Sequence, residues 1–207
     1  MTTSMYYIKV VACSLLVLLA GCSTQPTVKD PDLPKNIPKS DPQQELKNTT
    51  AAEISEYKKA MLHLKNGKLE DAKAVLIEFI GNRPSLAGPW ANLGLVYLKQ
   101  NQLDKAEDAI KKALLLNPKQ AHALCLLGFL ESKKGNFLEA EKNYIKAIEL
   151  KDNYPVAHYN LALLYDIYFQ DIGKAVKHYS IYLKLTGNQD KKTADWLEHL
   201  KGTLKKG

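Results

Sequence analysis

His122 and Cys125 are the two side chains whose types and spacing could support metal binding or nucleophilic chemistry. They lie three residues apart in a segment predicted to be helical, so they could share one helix face. A zinc site needs a third and usually a fourth ligand, and the other four histidines lie in other predicted elements. The sequence contains no phosphate-binding loop, nucleophile elbow or His-Glu-x-x-His motif. We therefore predict structural roles for all five histidines, no catalytic residue, no metal, no cofactor and no small-molecule substrate.

Cys22 is the residue best placed for covalent modification. It ends the sequence Leu19-Ala20-Gly21-Cys22, which closes an apolar run from Val10 to Ala20 preceded by Lys9. This run is too short to cross a bilayer as a stable helix, and the basic residue before it is typical of a cleaved targeting segment. We predict a signal peptide over residues 1–21, with translation starting at either Met1 or Met5.

The sequence that ends at Cys22 resembles the lipobox of bacterial lipoproteins. In that family the cysteine thiol is diacylglyceryl-modified, the chain is cut before it, and the new amino group is acylated. Three acyl chains on Cys22 would hold the protein stably on a membrane. The alternative is a plain secretory signal with an accidental cysteine. Ser23, and not Asp, follows Cys22, which by resemblance to enterobacterial lipoproteins implies the outer membrane of a Gram-negative bacterium, with the protein facing the periplasm.

Residues 22–50 are predicted to be the lipidated cysteine followed by a flexible linker. Five of the nine prolines fall between residues 26 and 42, among Lys, Asp, Ser and Gln. Such a composition cannot bury a core and favours an extended chain. At about 3.1 Å per residue, the 28 residues from Ser23 to Thr50 could reach roughly 85 Å. Thr50-x-x-Glu53 then predicts a capping box that begins the first helix.

A repeated pattern of large and small residues predicts the elements that follow the linker. Between Trp90 and Pro118 the chain reads Trp90-x-x-Leu93-Gly94-x-x-Tyr97, then Ala106 and Pro118, which is the spacing of a 34-residue helix-turn-helix unit. Small side chains at the Gly94 and Ala106 positions let two antiparallel helices approach closely. Both positions are also small in the other three blocks, at Ala60 and Ala72, Gly128 and Ala140, and Ala162 and Ala175.

This pattern resembles the tetratricopeptide repeat (TPR) family over residues 53 to 189, most strongly in the second block. The resemblance implies an all-α fold, a TPR superhelix (α-solenoid) of about four helix-turn-helix repeats plus a C-terminal capping helix. The fourth block has one extra residue between Asp166 and Gly173, which we place in the turn. The predicted repeat domain is 51–189, with repeats at about 53–86, 87–120, 121–154 and 155–189. The predicted capping helix is 190–207. Its apolar stripe consists of Trp196, Leu197, Leu200 and Leu204.

In the TPR family, repeat positions 2, 5, 9, 12 and 13 of each first helix line a concave groove that binds other proteins. Carried over to this chain, they give an apolar groove with a lysine edge, which suits an amphipathic helix or an extended peptide with apolar anchors and some acidic residues. The predicted partner-binding residues are Tyr57, Met61, Leu64, Asn92, Leu95, Leu98, Lys99, His122, Phe129, Lys133, Tyr159 and Leu163. The groove positions also include Ile54, Lys65, Ala91, Cys125, Ser132, Val156, Asp166 and Ile167. An alternative is that several of these side chains pack against neighbouring repeats and that the partner surface lies elsewhere.

Two other ligand classes are disfavoured. Asn92 matches one position of the carboxylate clamp found in some TPR proteins, but Tyr57, Met61 and Leu126 stand where polar or basic clamp residues belong. The formal net charge is +7, yet Arg83 is the only arginine among 29 basic residues. Because the planar fork of arginine is favoured for phosphate and base recognition, we predict no nucleic-acid partner.

The sequence thus predicts a lipid-anchored periplasmic scaffold without enzymatic activity, which binds other envelope proteins through its groove. In architecture it resembles TPR lipoproteins that help to assemble type IV pili by guiding the secretin to the outer membrane. The alternatives are an adaptor for peptidoglycan-cutting enzymes and an accessory of a TonB-type energy-transducing system.

Overall fold

The structure, a computed structural model, describes residues 50–205. Over this range the chain forms nine α-helices and no strand. The predicted signal peptide, Cys22 and most of the predicted linker lie outside the described residues. The helices are α1 (Ala51–Lys65), α2 (Leu69–Asn82), α3 (Ala87–Lys99), α4 (Leu103–Leu116), α5 (Ala121–Lys133), α6 (Phe137–Leu150), α7 (Pro155–Leu163), α8 (Ile172–Leu185) and α9 (Lys191–Leu204).

The helices form four antiparallel pairs followed by α9, so the predicted all-α solenoid is confirmed. Each pair packs within itself and against the first helix of the next pair, as expected for repeats that bury their apolar faces by stacking. Within residues 50–205, no helix is long and apolar enough to cross a bilayer.

Small side chains set the distance between the two helices of each pair. A Cβ on Gly94 would lie 2.7 Å from Cγ1 of Ile110, and a Cβ on Gly128 would lie 2.8 Å from the ring of Tyr144. In the first pair the corresponding residue, Ala60, is completely buried. The larger residue on the second helix therefore fills the space that the small residue leaves, which is the packing expected from the repeat pattern.

Short turns with one left-handed residue join the helices within each pair. Gly67, Asn101, Gly135 and Gln170 occupy this position, with φ between 54° and 81°. In the first three turns, the amide of the next residue donates to the carbonyl five residues before it, as in the 2.9 Å bond from Lys68 N–H to the His63 oxygen. This closure satisfies carbonyl groups that the end of a helix would otherwise leave unpaired.

The extra residue of the fourth repeat lies in a helix, and our placement of it in the turn was wrong. After α7 the chain continues as a π-helical segment, Leu164–Tyr168, which is closed by a 3.1 Å bond from Phe169 N–H to the Leu164 oxygen. The following turn is as short as the others, but its closing bond from Asp171 reaches back six residues to Tyr165. A wider helical turn therefore accommodates the insertion, and the residues within it are turned relative to their equivalents in the other repeats.

The N-terminus of α1 has the predicted capping box. The Thr50 hydroxyl oxygen accepts a hydrogen bond from the Glu53 amide, and the Glu53 carboxylate accepts one of 2.7 Å from the Thr50 amide. The same carboxylate forms an ion pair with Arg83, which follows α2, through 2.7 and 2.8 Å hydrogen bonds. These bonds, with Arg83 as the largest contribution, lower the pKa of Glu53 to about 2. The beginning of the first repeat is thereby tied to its end.

The last helix, α9, buries only part of its predicted apolar stripe. Leu197 and Leu200 are buried, together with Thr193, whereas Trp196 and Leu204 are exposed. Asp190 caps the helix by accepting hydrogen bonds from the Thr193 amide and hydroxyl. Trp196 therefore contributes little to the buried face of α9.

Candidate partner-binding groove

The predicted groove residues divide between the core and the surface. Half of the twelve offer almost no surface to a partner, because they are no more than 5 % exposed: Tyr57, Asn92, Leu95, Leu98, His122 and Phe129. Five others are half-buried, namely Met61, Leu64, Lys133, Tyr159 and Leu163, and Lys99 is exposed. The exposed surface of the predicted groove is therefore contributed by the other six residues.

Hydrogen bonds show how the buried groove positions link one repeat to the next. The Asn92 amide donates to the Tyr57 hydroxyl, which joins α3 to α1. The Tyr57 ring also packs against Phe79 of α2, with ring centroids 5.3 Å apart. Asn92, which matches a clamp position in sequence, is therefore occupied by an inter-repeat contact.

His122 and Cys125 lie in a buried cluster between the third and fourth repeats. Nδ1 of His122 is 3.1 Å from the Tyr154 hydroxyl. Burial, with a smaller contribution from Lys151, lowers the pKa of His122 to about 4. Burial also raises the pKa of the Cys125 thiol to about 12, so this group stays protonated at neutral pH and is a poor nucleophile. Among residues 50–205, no three His, Cys, Asp or Glu side chains are arranged to hold a metal ion.

The sequence did not indicate that His158 and His178 would meet. Their Nδ1 atoms are 2.9 Å apart, and Nε2 of His158 is 3.0 Å from the Asp152 carbonyl oxygen. A carbonyl can only accept, so His158 carries its proton on Nε2, and the His178 Nδ1–H donates to His158. Burial lowers the pKa of both rings, that of His178 to about 4. The pair is neutral at pH 7 and joins α7 to α8.

An open pocket of about 290 Å³ lies where the fourth repeat meets α9. Four of its lining residues come from groove positions of the first helix of this repeat, including the predicted binding residues Tyr159 and Leu163. The others come from α8 and α9, so the last helix forms one wall of the pocket. The lining residues are Tyr159, Leu163, Asp166, Ile167, Tyr179, Lys192, Thr193 and Trp196.

A carboxylate organises the aromatic side chains of this pocket. Oδ2 of Asp166 accepts a 2.6 Å hydrogen bond from the Trp196 indole N–H and a 3.2 Å bond from the Tyr179 hydroxyl. Burial, together with Asp166, raises the pKa of Tyr179, so this hydroxyl remains a donor at neutral pH. Tyr159 packs its ring against Tyr179 and against Tyr182, at centroid distances of 6.0 and 4.9 Å. We name this site the aromatic pocket.

Sequence reasoning located one side of the aromatic pocket and missed the other. Tyr159, Leu163, Asp166 and Ile167 stand at family groove positions, whereas Lys192, Thr193 and Trp196 belong to a helix that we expected only to close the stack. Trp196 was itself a signal, because a large aromatic residue on a terminal helix is available for other contacts unless it is part of the buried apolar stripe. The volume is at the small end for ligand pockets and fits one or two side chains of a bound peptide.

Comparison with known proteins identifies the repeats. Residues 87–120 and 121–154 each match the tetratricopeptide repeat family. These segments are the second and third helix pairs, which contain the Trp90 motif and the buried His122 cluster. The chain therefore carries tetratricopeptide repeats, a fold that is typically a non-enzymatic scaffold for protein–protein interaction.

Solved TPR structures share this architecture. The chain is similar to pilF of Pseudomonas aeruginosa, with a TM-score of 0.65, 22% identity, and coverage of 75% of this chain and 70% of that one. It is also similar to a thermophilic TPR protein of Thermus thermophilus, with a TM-score of 0.62, 21% identity, and coverage of 76% and 86%. At these identities the likeness concerns the fold alone.

Two curated proteins resemble part of the sequence. Cilia- and flagella-associated protein 70 of Macaca fascicularis and of Homo sapiens are each 32% identical to this chain over 91 residues, which is 44% of its length. The chain spans less than a tenth of the length of these relatives, 9% and 8% respectively. The similarity thus covers less than half of this chain and a small part of each relative.

Proposed function

We propose that this TPR solenoid is a lipid-anchored scaffold that binds another envelope protein and helps to assemble or localise its complex. The observation that carries the binding role is the aromatic pocket, an open site at groove positions of the last repeat. The anchoring role is carried by Leu19-Ala20-Gly21-Cys22 at the end of a short apolar run. The proposed location is the periplasmic face of the outer membrane in a Gram-negative bacterium.

Type IV pilus or secretin assembly is the process we propose for this scaffold. The support is the combination of a lipobox-like sequence with TPR architecture, which resembles lipoproteins that guide secretins to the outer membrane. A role as adaptor for peptidoglycan-cutting enzymes, or as accessory of a TonB-type system, would use the same anchor and the same fold. The identity of the captured protein distinguishes these processes.

Fractionation tests the anchor. When residues 1–21 are replaced by a secretory signal that is cleaved without lipidation, Cys22→Ala should leave the protein in the soluble periplasmic fraction, because no acyl chain is then attached. Mass spectrometry of the wild-type protein should find the lipid on Cys22. The matched control is Ser23→Ala with the natural signal, which should remain in the membrane. A mature Cys22→Ala protein, without signal or acyl chain, that still pellets with the membrane would refute lipid anchoring.

Crosslinking in cells tests the binding role. A photo-reactive residue at Ile167, which is 49 % exposed at the aromatic pocket, should crosslink to one specific envelope protein. The matched control places the same residue at Leu115, which is 74 % exposed on α4 and does not line the pocket. Equal capture from both positions, or capture from Leu115 alone, would remove the pocket from the proposed function.

A further inference from the structure

The aromatic pocket contains a negative charge whose hydrogen-bonding capacity is only partly used. The hydrogen bonds to Asp166 from Trp196 and from Tyr179 both end on Oδ2. Among residues 50–205, no side chain forms a hydrogen bond or ion pair with Oδ1. The half-buried Asp166 side chain therefore presents an oxygen that can still accept a charge-assisted hydrogen bond from a bound molecule.

This free oxygen limits the kinds of side chain that can fill the pocket. An apolar side chain would remove water from Oδ1 without replacing its hydrogen bond, which is unfavourable for a charged group. An acidic side chain would place like charges in contact. A positively charged side chain would supply both a donor and the opposite charge.

The walls of the pocket favour the same kind of ligand. Trp196, which stacks on His199 with ring centroids 5.2 Å apart, and Tyr159 both line the pocket. Cations are attracted to the faces of aromatic rings, most strongly to tryptophan. The planar guanidinium of arginine can stack on an aromatic ring while it donates to a carboxylate. The ring of Trp196 is held in place by its bond to Asp166, so the aromatic surface and the carboxylate are already arranged next to each other.

We propose that the aromatic pocket binds a positively charged side chain, arginine in preference to lysine, from the partner segment that lies along the groove. The proposal rests on the proposed function and adds to it the chemistry of one partner residue. The first three repeats carry lysines at groove position 13, namely Lys65, Lys99 and Lys133. Because the fourth repeat carries Asp166 and Ile167 instead, the charge contributed by the first helices changes from positive to negative at the fourth repeat. A partner with acidic residues at one end and arginine at the other would bind in one direction only.

Lys192 is the positive charge closest to this site. It lines the pocket from the exposed first turn of α9, and it forms no salt bridge with an acidic side chain within residues 50–205. Its long, flexible side chain can extend into solvent when a cation enters. Replacing Lys192 with Met should therefore strengthen binding of the positively charged probe described next.

The test uses full-length protein in detergent and four peptides labelled with fluorescein at the N-terminus, Ala-Leu-X-Leu-Ala-amide with X as arginine, lysine, citrulline or glutamate. Citrulline has the shape of arginine without its charge. We expect the arginine peptide to bind more tightly than the lysine peptide and roughly tenfold more tightly than the citrulline peptide, as measured by fluorescence anisotropy. This preference should weaken as the salt concentration rises.

Two variants that each remove one negative charge make the test specific. Asp166→Asn keeps an acceptor for Trp196 and should reduce the preference for arginine over citrulline to within about twofold. Asp195→Asn, the matched control, removes the same charge from an exposed position on α9 that does not line the pocket, and the preference should persist. Because Trp196 is exposed, Trp196→Ala should fold and should weaken binding of the arginine peptide severalfold.

The proposal fails if arginine and citrulline peptides bind equally to the wild type, if Asp166→Asn keeps the preference, or if the glutamate peptide binds best. Such a failure is distinct from failure of the proposed function. Capture of a specific envelope protein at Ile167 without a preference for arginine would leave the scaffold standing and refute the cation site. A preference for the arginine peptide without capture of an envelope protein would support the cation site and refute the binding role in the proposed function.

Discussion

Two glycines, in the second and third repeats, allow the two helices of a pair to pack closely because they have no Cβ. Gly94 faces Ile110 and Gly128 faces Tyr144, and both partners are completely or almost completely buried. A buried tyrosine ring cannot turn away without disturbing its own neighbours. The requirement for glycine at these positions is therefore one of space.

We expect Gly128→Ala to lower the free energy of unfolding by roughly 1–3 kcal/mol, because the new Cβ would lie 2.8 Å from the Tyr144 ring and 3.2 Å from the Ala140 carbonyl oxygen. The control is Gly81→Ala in α2, where a Cβ meets nothing within 4 Å. That change should be neutral or stabilising by up to about 1 kcal/mol. Urea denaturation measures both, and equal stability of the two variants would contradict the spatial argument.

One buried and one half-buried histidine are expected to make the stability of this protein depend on pH. The pKa values of His122 and His178 are both lowered, to about 4, mainly by burial. Because an unfolded histidine has its ordinary pKa of about 6.5, the unfolded chain takes up protons first as the pH falls. The stabilisation is therefore complete above about pH 6.5 and is lost as the pH falls towards 4.

We expect the free energy of unfolding to decrease between pH 7 and pH 4, with a contribution from His122 of roughly 3 kcal/mol at most. The His122→Gln variant should be less stable at pH 7 but should have a flatter pH dependence over this range. His199→Gln, which changes an exposed histidine, should follow the wild-type curve. Denaturation curves at several pH values provide the comparison, and parallel curves for all three proteins would refute this role of His122.

The π-helical segment is the element that distinguishes the fourth repeat from the others. It holds Asp166 and Ile167, which line the aromatic pocket, within a turn that has one more residue than an α-helical turn. Such widened turns are frequently found at functional sites, because they redirect side chains without interrupting the helix. The insertion therefore accounts for the position of Asp166 beside a helix 30 residues further along the chain.

Deleting Ile167 should restore the 34-residue spacing and convert the π-helical segment to an α-helix. Removing one residue rotates the part of the helix before the deletion by about 100° relative to the part after it. Asp166 should therefore lose its hydrogen bond to Trp196. The indole N–H resonance of Trp196 should shift in the nitrogen-15 NMR spectrum. Ile167→Ala keeps the chain length and should leave this resonance nearly unchanged. An unshifted resonance in the deletion variant would contradict the link between the widened turn and the pocket.

Across the whole molecule, α9 both closes the stack and builds the pocket. Leu197 and Leu200 bury its inner face, while Trp196, on another face, reaches Asp166 in the fourth repeat. A terminal helix covers apolar surface that a missing further repeat would otherwise cover. Stability and binding are thus expected to depend on the same element.

Ending the chain after Gln189 should lower the melting temperature by roughly 5–10 °C, because burial of the two leucines is lost while less chain has to be ordered. The arginine peptide should no longer bind. Ending the chain after Leu204 is the control, since it removes only residues beyond α9, and both properties should be retained. A protein shortened after Gln189 that still bound the peptide would exclude α9 from the site.

The sequence by itself determined the local and periodic features of this protein. The Trp90 motif and the recurring small residues predicted the helix pairs, and Thr50 with Glu53 predicted the cap of α1, because these features depend on neighbours within one repeat length. The places of Tyr159 and Leu163 in a repeat likewise put them on one face, where they line the aromatic pocket.

Tertiary structure decided which groove positions remain open and which side chains meet across repeats. Tyr57, Leu95 and Phe129 occupy groove positions in sequence but are buried in the structure. The contact between Trp196 and Asp166 depends on the widened turn and on how α9 docks. A repeat pattern records the spacing along one chain segment, whereas burial depends on the curvature of the stack and on the terminal helix, which the pattern does not contain.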